Sequence, residues 1–155
     1  MADETFDKAT AVNLLNQILE AELAGVVRYT HYSLMVFGYN RIPIVSWLRS
    51  EANICLSHAT EAGELVTHFG EHPSLKIGAL LETHAHGISD ILLESLDAEK
   101  SGLDLYKRLL ASVAGKSVLL EDYARRMISE EELHIGEVNK MLRKPGDITQ
   151  FSPNA

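Results

Sequence analysis

Glu131 and His134 stand three residues apart in the run Glu131-Glu132-Leu133-His134, so on a helix they share one face. A carboxylate beside an imidazole can hold a metal ion, and oxygen donors with one imidazole suit iron, manganese or zinc. Alone, such a pair also describes an ordinary solvated helix face. Other residues strengthen it. Glu22 lies between Ile18, Leu19 and Val26, which share its face, whereas Glu20 falls outside; Tyr29 follows seven residues later on the same stripe. His58 has Cys55 three residues before it, Glu51 seven before and Glu61 three after. Glu99 shares a stripe with Leu92, Leu96, Leu103, Tyr106 and Leu110 and is read as the inward carboxylate of its segment, with Glu94 and Asp97 at the rim. A buried carboxylate is costly unless it is paired or binds a cation. The remaining histidines, His31, His68, His72, His84 and His86, lack ligand spacing and are read as surface or connecting residues.

Four long helices must position these groups. Apolar residues recur at steps of three and four over residues 10–38, 43–69, 84–113 and 116–143, a helical and not a strand period. Gly38, Gly70 and Gly115 suit helix ends, and Pro43 suits a first turn. The first and third links are short, which predicts antiparallel neighbours. The middle link, with His72-Pro73-Ser74, is about a dozen residues. An all-α four-helix bundle with one long crossover between the second and third helices accommodates this pattern. The expected organisation is a tail over residues 1–9, the bundle over 10–143 and a polar tail over 144–155.

The 155 residues amount to one domain, with 46% hydrophobic residues, enough for a core. A net charge of -8 disfavours nucleic acid as a partner and favours a cationic or metallic one. Cys55 is the lone cysteine, so no internal disulfide forms and a reducing, cytoplasmic setting is expected. No apolar run is long enough to span a membrane, and the acidic start does not read as a signal peptide. Phe37, Tyr39, Ile42 and Trp47 cluster at the first turn and point to a contact surface, hence at least a homodimer.

From about Ala11 to Arg143 the sequence resembles the ferritin-like superfamily, and within it bacterioferritin. The resemblance rests on Ala21-Glu22-Leu23-Ala24 with Tyr29, on Glu99 with Gly102 and Tyr106, and on Glu131-Glu132-Leu133-His134-Ile135. It implies an intra-bundle di-iron-type site with Glu22, Glu99, Glu131 and His134 among the ligands and Tyr29 as a nearby electron donor. It also implies Fe(II) and dioxygen or peroxide as reactants, iron storage, and assembly into dimers or larger shells. The family repeats Glu-x-x-His on the second helix. Here the histidine is His58, but Cys55 stands where the second bridging glutamate belongs. Glu51 or Cys55 is left to fill the gap. Leu56 occupies the position where bacterioferritin supplies its methionine haem ligand, so haem is not expected. The missing carboxylate leaves two outcomes open: an iron-oxidising site, or a non-enzymatic ferritin-like assembly whose site is mononuclear or empty.

Overall fold

A computed structural model describes residues 6–80 and 82–154; the expected tail residues 1–5 lie outside the described residues. Four helices follow in order: α1 (Lys8–Met35), α2 (Arg41–His68), α3 (Ile88–Val113) and α4 (Val118–Leu142). No strand occurs among the described residues. Asp7 caps α1 by accepting from the Thr10 amide at 3.1 Å, and Ser117 caps α4 by accepting from the Leu120 amide at 3.3 Å. Each such cap stabilises its helix by about 1 kcal/mol.

Helices α1 and α2 pack together, as do α3 and α4, and α1 also packs on α3. Glu22 meets Tyr106, Tyr29 meets Glu99 and Tyr32 meets Glu94, so α1 and α3 run antiparallel. Two apolar plugs form the core. One is built from Leu15, Ile18, Val66, Leu109, Leu120 and Met127 among others. Toward the other end lie Tyr32, Val45, Leu48 and Ile91, with Leu92, Leu96 and Val138 beside them. The polar residues of interest form a layer between the plugs.

The crossover over residues 69–87 is longer than the sequence pattern suggests, because α3 begins at Ile88 and not near His84. His84 takes a left-handed conformation (φ 58°), which ends any helical path there. The crossover lies along α1 in the same direction. Asn16 receives the Ser74 amide, the Gly78 amide donates to the Glu20 carbonyl at 2.9 Å, and Arg28 donates to the Ala79 carbonyl. Gly78 makes this approach possible: a Cβ there would stand 3.1 Å from the Glu20 carbonyl oxygen. At the far end, Glu94 accepts from Tyr32 at 2.6 Å and from Thr83 at 2.7 Å. Glu94 is therefore buried and not at the rim as its stripe suggests. Its face of α3 is turned to α1 and the crossover, contacts that periodicity within one helix does not record. Asp97 is exposed.

Candidate metal centre

The polar layer collects one to three side chains from each helix. Glu22 comes from α1, Glu51, Cys55 and His58 from α2, Glu99 from α3, and Glu131 with His134 from α4. All seven candidate ligands meet there. Glu51, Cys55, His58, Glu99, Glu131 and His134 line one cleft of about 170 Å³.

The donors fall into two groups. In the first, His58 Nδ1 is 3.5 Å from Glu22 Oε1 and 3.4 Å from Glu131 Oε1. One ligand atom from each of these three lies within 4.8 Å of the others. Tyr106 donates to Glu22 at 2.9 Å, fixing its carboxylate. In the second, His134 Nδ1 is 3.1 Å from Glu51 Oε2, and its Nε2 is 3.6 Å from Glu99 Oε1. Tyr29 donates to Glu99 at 2.7 Å and its hydroxyl is 3.4 Å from His134 Nε2. Glu51 thus reaches inward and takes a place in the second group, while Glu131 stands beside both.

Charge explains why the arrangement suits a cation. Burial pushes the Glu131 carboxyl well above the usual carboxylate range; the His58 hydrogen bond opposes this, and the facing Glu99 and Glu22 add to it. Burial also raises Glu51, against the pull of His134. Burial alone would depress His58, but its hydrogen bonds to Glu131 and Glu22 push it up to about 10. Crowded, buried carboxylates of this kind are what a bound cation would stabilise in place of protons. The oxygen-rich, imidazole-capped donor set fits iron or a similar divalent ion.

Cys55 sits between the groups, buried against Gly25. A Cβ on Gly25 would fall 2.6 Å from the Cys55 sulfur, so the bare glycine makes room for the thiol. Burial first, then the nearby Glu22, Glu99 and Glu131 carboxylates, raise the Cys55 thiol far above its usual range. It is a neutral thiol here, and a thiolate ligand would require a metal strong enough to displace its proton.

Some neighbours of the site differ from the sequence reading or are absent from it. Trp47 lies stacked on His134, with centroids 6.4 Å apart and rings 6° from parallel, so it is not part of an exposed cluster as its neighbours suggested. Phe37, Tyr39 and Ile42 are indeed exposed. Glu130 approaches His58 Nε2 at 3.2 Å. Glu61, three residues after His58, pairs with Arg126. Leu56 faces outward, half-exposed.

Residues 12–146 match the ferritin-like domain family. The chain belongs to the ferritin-like family. No curated protein matches it. Among solved structures it is similar to a ferritin-like, diiron-carboxylate protein from Bacillus anthracis, at 20% identity and TM-score 0.81, covering 87% of this chain and 96% of that one. It is also similar to Rhodobacter capsulatus bacterioferritin, described with a metal-free dinuclear site and haem iron, at 19% identity and TM-score 0.81, covering 89% and 86%. At these identities the likeness is one of fold: a ferritin-like four-helix bundle, as the helix pattern implies. No described helix is long and apolar enough to cross a membrane.

Proposed function

We propose that this ferritin-like protein binds iron within its bundle, taking Fe(II) as substrate for oxidation by dioxygen or peroxide and for storage. The observation that carries this is the convergence of Glu22, His58 and Glu131 beside Glu51, Glu99 and His134 in one buried layer. Bound iron would supply the redox chemistry. The chain's own residues do the rest. Glu22, His58 and Glu131 would hold one ion and Glu51, Glu99 and His134 a second, with Glu131 placed to reach both. Tyr29, protonated because burial raises its hydroxyl well above the usual range, donates to Glu99 and lies in position to give an electron. Trp47 covers His134. Manganese or zinc would fit the same donors.

A second reading has a specific observation behind it. With Cys55 in place of a carboxylate and its thiol held neutral, one carboxylate fewer is available to bridge the two groups. The protein would then be a non-enzymatic ferritin-like assembly with one metal ion or none. Anaerobic Fe(II) titration followed by exposure to air separates the two. Near two irons per chain with rapid Fe(III) formation supports the first reading; one iron or none, with oxidation no faster than in buffer, supports the second.

We further propose that the chain forms at least a dimer in a cytoplasmic setting. Phe37, Tyr39 and Ile42, with Leu34 and Leu56 on α1 and α2, leave apolar surface uncovered. Size-exclusion chromatography with light scattering tests this; a monomer would overturn it.

A further inference from the structure

His31 on α1 and His86 at the end of the crossover were read as surface residues without ligand spacing. The structure brings both to Glu82. His31 Nε2 lies 2.7 Å from Glu82 Oε2, and His86 Nε2 lies 3.7 Å from Glu82 Oε1. One ligand atom from each of the three falls within 4.8 Å of the others. Each side chain is partly exposed, yet His31 Nε2, Glu82 Oε2 and His86 Nε2 are themselves buried and have no hydrogen-bond partner among the described residues. Leaving a buried polar atom unpaired costs about 1–3 kcal/mol. A His31–Glu82 ion pair would account for one contact, but His86 Nε2, at 3.7 Å from Glu82 Oε1, stays beyond hydrogen-bond reach.

The local chain is organised around this meeting point. Glu82 Oε1 accepts from the His84 amide, which turns the other oxygen toward His31. That turn depends on the left-handed His84, a conformation that non-glycine residues adopt uncommonly. Thr83 is tied to buried Glu94, which Tyr32 also grips, so the residue next to Glu82 is anchored to both α1 and α3. A cleft of about 200 Å³, bordered by Val27, Leu80 and Tyr32, opens beside His31 and Glu82.

We propose that His31, Glu82 and His86 form a second metal site that takes a divalent transition ion such as Zn²⁺, separate from the bundle centre. Two imidazoles and one carboxylate are a sufficient protein donor set for such an ion, with a fourth position left to water. Donors 2.0–2.1 Å from a tetrahedral ion stand about 3.3 Å apart. The separations of 2.7 Å and 3.7 Å found here bracket that spacing. An ion there would take one ligand atom from each of the three side chains and clamp the crossover to α1. Exposed His84, with Nδ1 4.0 Å from Glu82 Oε1, stands at the mouth.

The test uses the full chain and Zn²⁺ alone, titrated by calorimetry in wild type, His86→Gln, Glu82→Gln and a Glu131→Ala/His134→Ala double variant. Wild type is expected to take up one equivalent more than His86→Gln, or to bind that equivalent at least about tenfold more tightly. The double variant is expected to keep it. Co²⁺ should give a visible d–d spectrum in the double variant that His86→Gln abolishes when added to it. His86→Gln lies outside the core, and circular dichroism verifies that it folds. Superimposable Zn²⁺ titrations of wild type and a folded His86→Gln would overturn the site. So would loss of all Zn²⁺ binding in a folded double variant. Neither result bears on whether the bundle centre takes iron.

Discussion

At one side of the polar layer, His58 is gripped by two carboxylates, Glu22 and Glu131, with Tyr106 steadying the first. At the other side, His134 is gripped by Glu51 and Glu99, with Tyr29 steadying the second and Trp47 covering the ring. The two groups carry matching donors, an imidazole and two carboxylates each if Glu131 is counted with His58. They differ in what lies between them. Where a second bridging carboxylate would tie them together, Cys55 presents a neutral thiol seated against Gly25. Matching donors would make two ion positions, whereas a coupled pair would depend on what they share. Here that is Glu131.

Removing the shared residue should have the largest effect. Glu131→Ala is expected to lower bound iron from about two per chain to nearly none, measured by metal analysis after anaerobic loading. Loss of only one iron would mean that the groups are independent. Restoring the bridge comes next. Cys55→Glu should raise the rate of Fe(II) oxidation at least about tenfold, a change of about 1.4 kcal/mol in barrier. Equal or lower turnover in a folded variant would show that the thiol does not limit the site. The two imidazoles then separate the groups: His58→Ala and His134→Ala should each remove about one iron and leave the other, as read by stoichiometric titration. An identical loss of both irons from either variant would erase the distinction.

The smallest effect is on stability. His58 is raised in the fold above its unfolded value of about 6.5. Its contribution is therefore fully present below about 6.5 and is lost as pH rises through about 10. After allowance for solvent screening, the chelated protein should melt about 3 °C lower at the alkaline end. His58→Gln should flatten that slope, as followed by circular dichroism, while His134→Gln should leave it in place.

Much of this was legible in the chain. Glu22, His58, Glu131 and His134 lie on apolar stripes, where a three- or four-residue step reports which way a side chain points. The helices and their pairing followed from the same period and from two short links. The crossover did not. Residues 69–87 have no period, so the meeting of Glu82 and His86 with His31 depends on a left-handed turn and on contacts to α1 that only the folded chain supplies. Glu94 failed for a related reason: a helix touching two partners has two buried faces, and its apolar stripe reports only one.

Trp47 is the chain's single tryptophan, and its ring lies parallel to that of His134 with centroids 6.4 Å apart. Its emission therefore comes from one place, beside His134. A paramagnetic ion arriving at His134 should quench that fluorescence, whereas filling the His58 side should disturb it less. The molecule carries an optical probe that needs no label and watches one half of its own centre.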